Sequence, residues 1–211
     1  MQFIQTTPNL NLQMFEINNK KVEEYEHFKV IRDFYKKPDE VVKFIHRYEP
    51  YPHKHKFGYF SQGYDFDDMR HVIYTHQIKP VWDFLSTITK QIPCQAMEDS
   101  EYIVGTNYTY FRQIYKNKHF YPHRDFGLTA LIYLDKEVSN GTNLYKNISW
   151  DENKLEHKDH YCNEDEVEVI AHTPSEYNKL VIWNGLELHG LCQDERYIDK
   201  WRLNQVFFFQ Q

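Results

Sequence analysis

Twice in the first hundred residues, apolar side chains recur at helical spacing. Pro38 is followed by Asp39 and Glu40, and then by a stripe of Val41, Val42, Phe44, Ile45 and Tyr48. Proline at the first helical position gives up a donor the helix does not need, and carboxylates favour the positive end of a helix. The second stripe opens at Pro80 and carries Val81, Phe84, Leu85 and Ile88 on one face as far as about Gln91. Both segments are expected to be helices that lay an apolar face on a sheet. Ahead of them, 10–17 and 28–32 cluster or alternate apolar residues around Asn18-Asn19, which suits a strand pair joined at that turn. From Tyr102 the period changes to two. Segments 102–115, 127–134, 142–147, 166–171, 179–184 and 202–209 read as short strands divided by turn or polar residues, the mark of a sandwich or barrel. Residues 49–66, rich in Tyr, His, Lys and Gly, and the acidic, polar stretch 148–165 read as surface loops.

Length and composition add one domain and little else. The 211 residues are 41% hydrophobic, enough to bury a single core. Residues 1–100 are expected to give helix and strand support, and 101–211 the β core. Tyr and Phe number 17 and 15 and crowd the C-terminal half with β-branched residues, which favours strands there. The formal charge is −6, from 25 basic and 31 acidic residues, and no stretch gathers the basic face that phosphates would need. Nucleic acid is therefore not an expected partner. No apolar run approaches the ~20 residues of a membrane span, and the first residues lack the regions of a signal peptide. A cytoplasmic protein is expected, with no membrane partner. Cys94, Cys162 and Cys192 form no CxxC pair and leave one over in any disulfide scheme, which suits a reducing compartment. The sequons at Asn107, Asn140 and Asn147 then carry no meaning. Oligomeric state is not legible in the sequence.

The candidate chemistry lies in the C-terminal half. His123 and Asp125 sit two apart at the entry to an extended segment, so both side chains point the same way. An imidazole and a carboxylate, joined by a second imidazole, make the facial triad that leaves open positions on iron(II) for a co-substrate and O2. His189 suits the third place, because it follows the apolar run Leu180-Val181-Ile182-Trp183 and the turn Asn184-Gly185. A second HxD, His157-Lys158-Asp159, is embedded in the charged run Glu156 to Glu166 and lacks the rigid support that ligands need. His53 and His55 have no carboxylate or cysteine at matching spacing and read as solvated. Arg202 opens the apolar run Leu203 to Phe209, which carries its guanidinium towards the core, where it needs a partner. The distal carboxylate of 2-oxoglutarate would match its planar fork bidentately, and an internal Asp or Glu would serve as well. Asn204 shares strand parity with Arg202. The run His123-Arg124-Asp125-Phe126-Gly127 fuses two protein-kinase motifs that belong well apart, and no Gly-rich loop or paired lysine strand precedes it.

Four stretches, spanning about half the chain, carry a family likeness. They are Phe120-Tyr-Pro-His-Arg-Asp125, Thr129-Ala-Leu-Ile-Tyr-Leu134 with Asn140-Gly-Thr142, Leu180-Val-Ile-Trp-Asn-Gly185 with His189, and Trp201-Arg-Leu-Asn-Gln-Val-Phe-Phe208. In this order they resemble the 2-oxoglutarate- and iron(II)-dependent oxygenase superfamily, and most closely its prolyl 4-hydroxylase-like branch. The resemblance implies a mainly β chain with flanking helices around a double-stranded β-helix, or jelly roll. It further implies His123, Asp125 and His189 as iron ligands, Arg202 as the 2-oxoglutarate clamp and Tyr133 as a second donor to that carboxylate. A carboxylate at Asp125 favours hydroxylation over halogenation, since the related halogenases carry a small residue there. The nucleic-acid alkylation-repair branch has a second Arg six positions after the first, where this chain has Phe208. A hydroxylase of peptidyl residues is the leading expectation. A hydroxylase of a small molecule or free amino acid, and a β-helix that binds without turnover, are its rivals.

Overall fold

The computed structural model describes residues 12–45, 51–52, 66–71, 79–93, 105–111, 122–125, 127–136, 139–151, 164–192 and 201–210. In chain order these form a 3-10 turn (Leu12–Phe15), β1 (Glu23–Glu24), β2 (Lys29–Ile31), α1 (Pro38–Ile45), β3 (Tyr51–Pro52), β4 (Phe66–His71), α2 (Lys79–Thr89) and β5 (Ile92–Pro93). There follow β6 (Gly105–Phe111), β7 (Leu128–Tyr133), β8 (Ser139–Asn147), a second 3-10 turn (Glu164–Glu166), β9 (Val167–Ser175), β10 (Leu180–Asn184), β11 (Leu188–Leu191) and β12 (Trp201–Gln210).

The strands make two sheets. The larger has nine strands in the order β1-β2-β10-β7-β12-β6-β4-β3, with β5 beside β12, and the smaller has the order β11-β8-β9. A bridge between His123 and His189 adds the segment around His123 to the other edge of β11. After β6 the chain therefore passes to the small sheet at His123, back to the large one at β7, and out again for the β8–β9 hairpin. It returns at β10, crosses at β11 and ends in the large sheet at β12. This alternation is the double-stranded β-helix, and α1 and α2 flank it as expected.

Alternating residues of the large sheet serve two cores, as the pleat requires. Ala130, Ile132, Leu180, Ile182, Phe207 and Phe209 face the helices, where Phe15, Phe34, Val41, Phe44, Val81, Trp82 and Leu85 cover them. Trp82 stands edge-on to Phe207 and Phe209 at 5.0 and 5.3 Å. Leu131, Tyr133, Val181, Trp183 and Val206 point the other way, into the space between the sheets, and meet Leu144 of the small sheet. The inside of the β-helix thus belongs to this second set.

Several local expectations shift. The strand pair around Asn18-Asn19 is instead a 3-10 turn followed by a tighter hairpin, in which Glu23 pairs with Val30 and Glu24 with Lys29. Asn18 serves as a clasp: its Nδ2 donates to Asp33 O at 2.6 Å and Tyr35 O at 3.1 Å. Within 49–66, Tyr51–Pro52 pairs with β4, whose first residue is Phe66, so this segment contributes to the sheet. β9 runs on to Ser175 because Thr173 and Ser175 pair with Thr142 and Ser139. Tyr48, His53, His55, Cys94, His157, Asp159 and Cys162 lie outside the described residues, and Cys192 is half-buried at the end of β11. Among the described residues, no helix is long and apolar enough to cross a membrane.

Candidate metal centre

Backbone hydrogen bonds place the three expected side chains. His123 N donates to His189 O and His189 N to His123 O, both at 2.9 Å. Such a doubly bonded antiparallel pair holds its side chains on one face, and the ring centroids lie 4.5 Å apart. Two residues on, Asp125 N donates to Gly185 O at 2.7 Å, and Gly185 N to Gly127 O at 2.7 Å. Gly127 takes a positive φ of 59° in this turn. Gly185 is required for closeness: a Cβ there would lie 2.6 Å from Thr129 Oγ1, 2.9 Å from Gly127 O and 3.0 Å from Asp125 Cβ.

The result is a His-Asp-His cluster whose ligand atoms all lie within 4.8 Å of one another. His189 Nε2 is 3.0 Å from Asp125 Oδ2, and His123 Nε2 is 3.8 Å from Asp125 Oδ1. Adjacent donors on an octahedral ion with bonds of about 2.1 Å stand about 3 Å apart, so the three groups suit one face of such an ion. His189 Nδ1 is 2.8 Å from Glu187 O. A carbonyl only accepts, so Nδ1 carries a proton; without a metal a second proton on Nε2 donates to Asp125, and a cation that takes its place meets the Nε2 lone pair. Thr129 Oγ1 donates to Asp125 Oδ2 at 2.9 Å, and the Trp183 ring stands 5.2 Å from that of His189. Burial pushes the Asp125 carboxyl up, but the His189 hydrogen bond, the two histidine charges and Thr129 outweigh it and hold the group below the usual carboxylate range. The side chains of His189, Asp125 and His123 are 3%, 16% and 48% exposed, so the cluster opens to solvent on the His123 side.

Deeper inside, the apolar lining gives way to a polar rung. Across the large sheet, Asn204 pairs with Tyr133, and Tyr133 N donates to Lys179 O at 3.0 Å. Facing them on the small sheet, Thr142 pairs with Thr173, and Tyr133 Oη and Thr142 Oγ1 share a 2.7 Å hydrogen bond. All five residues are buried. His189 pairs with Leu144 and Leu191 with Thr142, so the rung lies two residues beyond the histidines, about 7 Å along the strand. Asn204 Oδ1 is buried with no hydrogen-bond partner among the described residues. Arg202 sits in β12 opposite Thr109, and its side chain is outside the described ones.

Thus His123, Asp125 and His189 converge, and Tyr133 and Asn204 lie side by side on the inner wall. Sequence reasoning missed what holds them. Thr129 read only as the start of an apolar strand, although its place four residues after Asp125 was a usable signal. Gly185 read as a turn residue, and its true constraint, the approach of Thr129 and Asp125, comes from segments some sixty positions away. Lys179 read as the unremarked first residue of a strand.

No family model matches the chain, and no curated protein matches it by sequence. Similar solved structures do exist. A prolyl hydroxylase from Trichoplax adhaerens, in complex with a peptide fragment of the hypoxia-inducible factor oxygen degradation domain, superposes with a TM-score of 0.51 at 11% identity, over 87% of this chain and 84% of that one. A 2OG-Fe(II) oxygenase family protein from Burkholderia pseudomallei gives 0.46 at 10% identity, covering 87% and 85%. A prolyl-4-hydroxylase from Pseudomonas putida gives 0.44 at 12% identity, covering 88% and 94%. The likeness to the Trichoplax protein is one of fold: this chain has the jelly-roll fold found in 2-oxoglutarate- and iron(II)-dependent oxygenases.

Proposed function

We propose that the protein is an iron(II)- and 2-oxoglutarate-dependent dioxygenase that hydroxylates a peptidyl residue, with His123, Asp125 and His189 as the iron ligands. The observation that carries this reading is the convergence of two imidazoles and one carboxylate, their ligand atoms within 4.8 Å of one another and His123 open to solvent. Zinc sites of structural type close all four positions with Cys and His, and among the described residues this cluster has three donors, one of them a carboxylate. When bound, iron(II) with 2-oxoglutarate supplies the oxidising power, one atom of O2 passing to succinate as carbon dioxide leaves and the other to a substrate C–H bond.

The chain's own residues provide the setting for that chemistry. Glu187 O keeps the His189 proton on Nδ1 and so leaves Nε2 free to coordinate. Thr129 orients the Asp125 carboxylate. The polar rung lies about 7 Å past the histidines, and 2-oxoglutarate spans about 5 Å between its carboxyl carbons, so Tyr133 and Asn204 would be within reach of a co-substrate held at the triad. Tyr133 would donate to the distal carboxylate, Asn204 would donate to it from Nδ2, and Arg202, two residues before Asn204 on the same strand, would clamp the same group bidentately. Trp183, buried with its ring 5.2 Å from that of His189, would keep water from that side. Substrate approaches over the exposed edge of His123. The likeness to a fold that holds a peptide in the Trichoplax complex supports a peptidyl target.

The test is spectroscopic and chemical. Under anaerobic conditions, iron(II) plus 2-oxoglutarate is expected to give a visible charge-transfer band that is lost on His123→Ala; a mutant that keeps the band refutes the ligand assignment. Succinate release stimulated by peptides and not by free amino acids is the expected substrate profile, and the reverse pattern refutes the peptidyl part alone.

A further inference from the structure

A cation is buried beside the proposed co-substrate site, and the ligand roles above make no use of it. Lys179 is 1% exposed. Its backbone is tied to that of Tyr133 by the bond from Tyr133 N, and Asn178 N donates to Tyr133 O at 2.8 Å. Its Nζ lies 5.6 Å from the centroid of the Tyr133 ring, inside the ~6 Å over which a cation is attracted to an aromatic face. The ammonium donates to Thr173 Oγ1 at 3.2 Å, to Glu176 Oε1 at 3.1 Å and to the carbonyl of Pro174. Three donors thus meet three acceptors, and the charge is pinned against the ring. Burial pulls the Lys179 pKa down, and the Glu176 hydrogen bond and charge oppose that.

Stability alone is a poor account of this arrangement, because apolar side chains of similar volume replace buried ion pairs at little or no cost. Placement offers a better one. The ring that carries the charge also carries the hydroxyl that faces Thr142 on the polar rung. A positive charge on the ring face withdraws electron density, which makes a phenol a stronger donor to an anion. In a buried site the same charge is felt far more strongly than in water.

We propose that Lys179 is a positioning residue for the co-substrate: held against the ring of Tyr133, it strengthens the Tyr133 hydroxyl as a donor and so favours a ligand with a second carboxylate. The inference rests on the reading of the site as one for 2-oxoglutarate.

The experiment compares two keto acids on the anaerobic iron(II)-loaded protein, followed by the absorption band. They are 2-oxoglutarate and 2-oxopentanoate, which has the same chain length with a methyl group in place of the distal carboxylate. Wild type is expected to prefer the diacid. Lys179→Met should reduce that preference at least about tenfold by weakening the diacid alone, with the monoacid within about twofold of wild type, and Lys179→Arg should keep most of the preference. Tyr133→Phe, which removes only a hydroxyl, should lose the preference as well, and in that background Lys179→Met should add little. A purely structural lysine would weaken both ligands alike or neither, and either result overturns the proposal. So does a Tyr133→Phe protein that keeps the preference, even if Lys179→Met does not fold. Failure of the wild type to bind either keto acid would remove the co-substrate reading itself. Binding with an unaltered preference in the variants would remove only the role of Lys179.

Discussion

An alanine at position 185 would place its methyl carbon 2.6 Å from Thr129 Oγ1, 2.9 Å from Gly127 O and 3.0 Å from Asp125 Cβ. Contacts under 3.0 Å force something to move, and the choices here are poor. The Gly127 carbonyl is backbone and accepts the bond from Gly185 N, so its shift would open the turn. Rotation of Thr129 would take its hydroxyl from Asp125, and a shift of Asp125 would carry a proposed ligand away from the histidines. Overpacking of this kind costs about 1–3 kcal/mol, while removing a glycine of ordinary φ restores about 0.4–1 kcal/mol through the unfolded chain. The net loss is about 1–2 kcal/mol, or roughly 2–8 °C in melting temperature for a chain of this size. Metal affinity should fall more steeply, by about 10- to 100-fold, since the groups displaced are a ligand and its hydrogen-bond donor. Calorimetric titration with iron(II) or manganese(II) and a thermal melt would measure both. Gly141→Ala is the control, since its Cβ would meet Thr173 O at 1.9 Å with φ at +80°, away from Asp125. It should destabilise more and leave the metal affinity of the folded protein within about threefold. A Gly185→Ala protein that binds metal as wild type does would refute the claim that this close approach positions Asp125.

Three further outcomes follow from the same geometry. Thr129→Val should cost about 1 kcal/mol or less in stability and lower metal affinity roughly tenfold, so unchanged affinity on titration would show that the hydroxyl does not orient the carboxylate. A divalent metal at a hundred times its dissociation constant should stabilise the fold by about 2.7 kcal/mol, seen as a rise in melting temperature that chelator reverses and that is absent in His189→Ala. In the metal-free protein the Asp125 carboxyl is held below its usual value, so its stabilisation is fully present above the unfolded value of about 3.9 and is lost as pH falls through the lower folded value. Urea denaturation should show the advantage of wild type over Asp125→Asn shrinking as pH falls below about 5; an advantage that grows over that range would reverse the sign.

The β core was legible because its strands bury one or both faces, so alternation or continuous apolar runs mark them. β7, β10 and β12 lie at their expected places to within a residue at the described ends. β11 was not legible. Its four residues, Leu188-His-Gly-Leu191, are too few to show a period and include a glycine. It is the ladder with β8 and the bridge to His123 that make them a strand. The N-terminal hairpin was misplaced for a related reason: Asn18 has turn chemistry, but its amide is committed to carbonyls fifteen and seventeen residues away. Spacing alone likewise could not separate His123-Arg-Asp125 from His157-Lys-Asp159. What marked out the first was the apolar strand that follows it, and that strand carries Thr129, the donor to Asp125.

The placement of the site by backbone bonds bears on what the site must hold. Both hydrogen bonds of the His123–His189 pair and the bond from Asp125 N to Gly185 O fix the main chain beneath each donor, so the side chains have little room to separate. With the Nδ1 proton of His189 committed to Glu187 O, the Nε2 lone pair and the Asp125 carboxylate face each other at 3.0 Å. Two acceptors at that distance, one of them 3% exposed, repel unless a positive charge lies with them. A proton on Nε2 is one such charge, giving an imidazolium paired with Asp125. A divalent ion is the other, and it would also engage His123, whose Nε2 lies 3.8 Å from Asp125 Oδ1. A scaffold that only bound a peptide would be served by the proton alone. The third donor, held by the same pair of backbone bonds and open to solvent, is what suits the cluster to the divalent ion of the proposed function.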